Sequence, residues 1–192
     1  MKYKVTINNN LNLCNYFLTD ANAVLTINGN LKCRKEIYID ANIVIINGDI
    51  DCAKINICAK SILVNGTIHS NDHLLLSSQD NLHLNSRVFC NNELFLIGNK
   101  IIFRSDISNR NFTDISAGKV FLLGSITSHN FLKFWINDYI IKIGECISFS
   151  EDKNYFTPEK ELKDLEKIKR VLVEDFEIEE PELSQILDKC TS

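Results

Sequence analysis

Residues 25–31 read L-T-I-N-G-N-L, residues 44–50 read V-I-I-N-G-D-I, and residues 62–68 read I-L-V-N-G-T-I. The same phrase, two apolar residues flanking one position, an Asn/Gly/Ser corner and a further aliphatic residue, runs through most of the chain. It stands as V-T-I-N-N-N-L at Val5, L-H-L-N-S-R-V at Leu82, I-I-F-R-S-D-I at Ile101 and V-F-L-L-G-S-I at Val120, with a degraded copy, I-K-I-G-E-C-I, at Ile141. The corners are Asn9, Gly29, Gly48, Gly66, Ser86, Ser105, Gly124 and Glu145, spaced by steps of 20, 19, 18, 20, 19, 19 and 21. A fixed period of this size marks a solenoid, in which each repeat buries its apolar face only by stacking on the next.

Numbering each coil from its corner makes the pleat legible. Positions −4 and −2 are apolar, as in Leu25/Ile27, Val44/Ile46 and Ile62/Val64, and position +2 is aliphatic from Leu11 to Ile126. Positions +8 and +10 are apolar again, as in Ile37/Ile39, Leu74/Leu76 and Leu132/Phe134, and +12 is small at Ala21, Ala41, Ser78, Gly98 and Ala117. Alternation of this kind is a strand signal, because successive side chains leave opposite faces. The expected fold is an all-β solenoid over residues 1–150: a right-handed parallel β-helix of about eight coils, about 19 residues each, with three short strands per coil. Like positions then stack about 4.8 Å apart. The Asn-Gly pairs are read as corners that permit left-handed backbone angles.

After Phe149 the period stops, and residues 151–192 are expected to form an α-helical cap or arm. Thr157 is placed as N-cap and Pro158 at N1 of a first helix. Leu162, Leu165, Ile168, Leu172 and Phe176 form its apolar stripe, and Pro181 opens a second helix with Leu183, Ile186 and Leu187 on one side. Such a pair is expected to close the end of the rod or to lie along one of its faces.

Composition limits the function classes. Hydrophobic residues make up 45% of the 192, with two prolines and seven glycines, which excludes disordered and collagen-like chains. Residues 1–150 carry 14 Lys/Arg against 12 Asp/Glu, net +2, and 151–192 carry 7 against 13, net −6, so neither part has the basic stripe of a nucleic-acid binder. No signal peptide and no transmembrane segment are expected, and seven cysteines without a pairing pattern point to a reducing, cytoplasmic compartment. Cys33, Cys52 and Cys90 share position +4, where a small, weakly polar side chain turns inward at a corner.

No catalytic set emerges. Asp49 and Asp51 leave the same side of one strand, but they lack an aromatic platform and a second carboxylate row, and they read as solvated edge residues. His69, His73, His83 and His129 occupy four different registers, and no metal-ligand or phosphate-loop spacing is present. No cofactor or metal is therefore expected. The outward positions carry more information. Ile45, Leu63, Ile102 and Phe121 share the −3 column, and Leu18, Tyr38, Leu75, Phe95, Ile97 and Trp135 lie at +9 and +11. Strands apolar on both faces are normally covered, so these columns are the candidate interaction faces.

The stretch I-N-G-D-I-D-C-A-K-I-N-I-C-A-K-S-I-L-V-N-G-T-I-H-S, Ile46 to Ser70, resembles the coil phrasing of bactofilins, and I-Y-I-D-A at Ile37–Ala41 resembles filamentous-haemagglutinin-type repeats. The first resemblance implies a bacterial cytoplasmic β-helix that polymerises into scaffolds, and the second implies an exported adhesin. The functional expectation is a non-enzymatic scaffold or protein-interaction protein, pairing with itself or with another protein. The alternatives are a carbohydrate-binding or carbohydrate-active β-helix and an adhesin-like or host-directed binding module.

Overall fold

The computed structural model describes residues 3–143, 147–149, 155–156 and 161–191. The chain forms an all-parallel β-solenoid of about seven turns, about 19 residues per turn, followed by two helices. Four long strands, β2 (Leu11–Ile27), β3 (Leu31–Ile46), β4 (Ile50–Val64) and β5 (Ile68–Leu84), follow a short β1 (Tyr3–Ile7). Later coils split in two: β6 (Val88–Cys90) with β7 (Glu93–Phe103), β8 (Ile107–Asn109) with β9 (Phe112–Leu122), and β10 (Ile126–Ser128) with β11 (Phe131–Lys142). The described strands end with β12 (Ile147–Phe149) and β13 (Tyr155–Phe156). The three separate strands expected per coil therefore run together in the early coils. Parallel pairing continues around the second and third corners, with one- or two-residue register shifts such as that between Cys33 and Glu36, and only the Asn/Gly/Ser corner interrupts it.

The register is as the repeat dictates through the middle of the rod, with Leu31, Ile50, Ile68, Val88, Ile107 and Ile126 in one column. Inward residues from Ala23 to Ile140 form one continuous apolar core. Two coils depart from the alignment. In the first coil, Tyr16 and Leu18 pair with Ile37 and Ile39, so Leu18 points inward and Phe17 outward, and Asp20 rather than Ala21 stands opposite Ala41. The cause is a second corner one residue shorter there than in the next coil, which reverses the side chains up to Asp20; a further shift before Val24 then restores the register. In the last copy a shift between Ile136 and Tyr139 pairs Ile140 with Val120 and Ile141 with Phe121. Ile141 is thus an outward residue. Glu145, the expected last corner, lies outside the described residues.

The corner glycines answer to crowding rather than to backbone angle. None has a left-handed φ. A Cβ on Gly48 would sit 2.3 Å from the carbonyl oxygen of Gly29, and one on Gly66 would sit 2.1 Å from that of Gly48. Each glycine lets successive corners stack at strand spacing, and the amides of Asn47 and Gly48 share the carbonyl of Ile27. Where serine replaces glycine, Asn85 alone bonds to Val64.

The helices are α1 (Leu165–Glu174) and α2 (Glu182–Thr191). Thr157 and Pro158 lie outside the described residues, and the N-cap of α1 is Asp164, whose Oδ1 accepts the Lys167 amide at 2.7 Å. Leu162 precedes the helix, pairing its amide with the carbonyl of Ile140. Leu165 is 39% exposed, and Ile168, Val171 and Leu172 form the buried stripe. Gly48→Ala is expected to lower the stability of the solenoid by about 2 kcal/mol or more, because backbone atoms on two coils must move. In Gly98→Ala the Cβ would be crowded only by the Ile101 side chain, at 3.2 Å, with Leu82 and the Lys100 carbonyl at ordinary contact distance of 3.6 Å. Urea unfolding of the two variants side by side should show the larger loss at Gly48.

Candidate functional site

Three polar ladders run along the corners, built by in-register stacking of like residues. Before the first corner, Asn28, Asn47, Asn65 and Asn85 each donate Nδ2–H to the Oδ1 of the asparagine one coil earlier, starting at Asn8, at 2.7 to 2.8 Å. Arg104 ends the series, donating to Asn85 at 3.2 Å. After the corner, the side chains of Asn10, Asn30 and Asp49 each accept the backbone N–H of the next coil at 2.8, 2.9 and 2.8 Å. At the second corner, Asn92, Asn111 and Asn130 form another series that begins at Asp72. The signal for these ladders was the period of the asparagines themselves; turn chemistry explained each Asn-Gly pair but not where its amide bonds.

The ladder fixes the role of Asp49. Its Oδ1 holds the Thr67 amide, while Asp51 lies 3.1 Å from Lys32 and 3.5 Å from His69. The two acids are brought into separate contacts. His73 spans Glu93 and Asn56, both at 3.1 Å, and His129 is exposed. Cys33, Cys52 and Cys90 are buried in one column with Ser70, Asn109 and Ser128. The thiols of Cys52 and Cys90 donate to corner carbonyls, those of Lys54 and Glu93, both at 3.2 Å. Burial, with Cys52 alongside, pushes the Cys33 thiol up to about 11, and burial raises Cys52 and Cys90 as well. These thiols are poor nucleophiles. Among the described residues no His/Cys/Asp/Glu group suited to a metal ion is present, and no helix is long and apolar enough to cross a membrane.

The −3 face divides in two. Ile102, Phe121 and Ile141 are covered by the chain's own helices and form a second core with Ile168, Val171, Leu172, Phe176, Ile178, Leu183 and Ile186. Ile102 and Phe121 are therefore not free surface. Phe176 packs on Phe121 and, edge-on, against Tyr139, at 5.7 and 6.3 Å between ring centroids. Charge pairs fasten the rim. Asp175 takes Lys119 at 2.8 Å and the Tyr139 hydroxyl, Arg104 holds Glu182 at 2.9 Å, and Lys100 donates to the carbonyl of Asp175. Bonding to Lys119 and Tyr139 holds the Asp175 carboxyl below the ordinary carboxylate range, whereas burial and Asp175 raise the Tyr139 phenol. Ile45 and Leu63, earlier in the same column, are half-buried and outside this cluster.

The second candidate face is mixed. Tyr38, Leu75 and Phe95 share a column with exposed Phe17, but also with Asn56, Asp114 and Lys133. Ile97 and Trp135 share the next with Asp40, Cys58, Ser77 and Ser116. Phe95 packs between His73 and Phe112, and Phe112 stacks on Phe131 at 5.1 Å, so part of this apolar surface is used within the chain. Trp135 remains 53% exposed and Phe17 59%.

The first coil is open. Val5, Ile7, Leu11, Leu13, Tyr16 and Leu18 are only partly buried, whereas their partners Leu25, Ile27, Leu31, Cys33, Ile37 and Ile39 are no more than 3% exposed. Among the described residues nothing lies over this edge. It carries only Lys4 and Asp20 as charged residues between Tyr3 and Asp20, and no proline.

No protein-family model matches the chain, and neither a characterised protein nor a solved structure shows significant similarity to it. The likeness to bactofilin and haemagglutinin-type repeats is thereby limited to the parallel solenoid itself.

Asp49→Asn keeps the acceptor and should leave stability nearly unchanged, whereas Asp49→Ala orphans the Thr67 amide and should cost about 1 kcal/mol in urea unfolding. Asp175→Ala should lower hydrogen-exchange protection across α1 about tenfold, a charged hydrogen bond discounted for partial exposure. Because its folded pKa is depressed, Asp175 stabilises fully above the ordinary carboxylate value and loses its effect as pH falls below it. The difference between wild type and variant should therefore vanish only below about pH 4.

Proposed function

We propose that the chain is a non-enzymatic interaction module that pairs with a second copy through its open first coil. The observation that supports this reading is the contrast along the inward columns: six apolar side chains of the first coil stay partly exposed where their partners one coil on are sealed. The outer edge of β1 and of the Leu11–Asp20 segment of β2 has backbone groups free for pairing, and an edge with only Lys4 and Asp20 as charges and no proline is a template for another strand. An edge that meets its own copy makes an isologous contact, in which one surface serves both partners and the assembly closes at a dimer. The carbohydrate-active reading draws less support, since Asp49 serves the corner ladder and Asp51 lies against a lysine.

Sedimentation over a wide concentration range tests the reading. The wild-type chain should shift from a 22.0 kDa species to an elongated dimer. Leu11→Lys with Leu13→Lys, which places charges on the open end, should hold it monomeric with the strand signal in circular dichroism retained. A wild-type chain that stays monomeric at its highest soluble concentration would overturn the proposal.

A further inference from the structure

One half-buried titratable side chain holds a sealed nitrogen that has no partner among the described residues. His83 stands in the −3 column between Leu63 and Ile102, where the open part of that face meets the part under the helices. Its Nε2 is sealed from solvent and meets no hydrogen-bond donor or acceptor. The charged groups around it are Arg104 and Lys100 on the solenoid and Glu177 on the segment between α1 and α2. Both cations are also fastenings of the helical pair. Arg104 grips Glu182 through two nitrogens, and Lys100 bonds the carbonyl of Asp175 and lies 4.0 Å from Glu177.

A neutral imidazole tolerates this position. A protonated one would need an acceptor for its Nε2–H and would set a third positive charge beside Arg104 and Lys100. The acids on the helical side are engaged elsewhere: Asp175 with Lys119 and Tyr139, and Glu182 with Arg104. Glu177 is largely in solvent, and its attraction is the weakest of the influences on His83.

We propose that the helical pair is a strap that acid releases, with His83 as the trigger: proton uptake at His83 favours the undocked state and uncovers Ile102, Phe121 and Ile141. The device acts on the solenoid flank and is independent of pairing through the first coil. Burial first, then Arg104 and Lys100, hold the His83 pKa below its ordinary value. Docking is therefore unopposed above that value, about 6.5, and is progressively opposed as pH falls below it. One proton taken up per opening changes the opening equilibrium by about tenfold per pH unit within that window. The other histidines lie in other registers, at Asp51 for His69, at Glu93 and Asn56 for His73, and exposed for His129. Asp175 responds only in the acid range below the ordinary carboxylate value.

The test compares amide hydrogen-exchange protection factors in the full chain at about pH 7.5 and pH 5.5. Factors across Ile168–Leu172 should fall severalfold to about tenfold on acidification, while those of β3 and β4 stay constant. His83→Leu, which repeats the Leu63 of the neighbouring coil, should hold α1 protection flat over the same range; His83→Gln provides the same comparison should the leucine variant fold poorly. Flat protection in the wild-type chain, an equal fall in either variant, or a parallel fall in β3 and β4 would each overturn the proposal.

Discussion

Everything in this molecule depends on in-register parallel stacking: each residue sits about 4.8 Å from its counterpart in the next coil. A position cannot be chosen alone, because whatever stands there must tolerate its own kind above and below. Aliphatic columns satisfy this by packing, and asparagine satisfies it because a primary amide donates to and accepts from another of itself. Charge does not, since like charges directly opposite repel. Opposite charges on neighbouring coils accordingly meet: Lys32 lies against Asp51, Lys54 against Asp72, Lys60 against Asp80 and Asp114 against Lys133. Where Lys100 does stand directly against Lys119, Asp175 meets both, with its carbonyl and its carboxylate. Glycine at the corner meets the same requirement for the backbone, where a Cβ would strike the carbonyl of the coil before.

The solenoid was legible in the sequence because a repeat of this length has few physical solutions, and the inward columns between Leu25 and Leu122 follow from alternation alone. What was misread traces to single-residue changes in coil length. Leu18 and Ile141 stand on the opposite side from the one that counting from the corner gives, because the second corner of the first coil is short and the last turn slips near Asn137, and with a period of two any such slip reverses a face. The second helix follows Pro181 as expected, with Leu183 and Ile186 buried, whereas the buried stripe of the first starts later than its apolar spacing suggests. The stripe was anchored on Leu162 and Leu165, yet Asp164 caps α1 and turns Leu165 toward solvent, so Val171 takes the place in the buried stripe. The ladders are harder to read, although Asn8, Asn28, Asn47, Asn65 and Asn85 repeat as strictly as the apolar residues, because hydrogen bonding along a column is not visible in any one repeat.

The uneven charge of the chain becomes intelligible once the helices are in place. The solenoid supplies Lys119, Arg104 and Lys142, the tail supplies Asp175, Glu182 and Glu161, and the pairs ring an apolar contact centred on Phe121 and Phe176. Surface pairs of this kind add little energy singly. Their value lies in fixing the geometry around a hydrophobic contact that would otherwise slide.

Sliding is a real hazard for a rod with translational symmetry, since a lid that fits one coil nearly fits the next. Asp175 cannot resolve the ambiguity, because Lys100 and Lys119 occupy the same column and either would serve. Arg104 can. One coil toward the N-terminus its column holds Asn85, and one coil toward the C-terminus it holds Leu123, so Glu182 finds a guanidinium at a single setting. The residue that ends the asparagine ladder is thus also the mark by which the helices are indexed along the rod, and a chain of near-identical coils acquires one position unlike the rest.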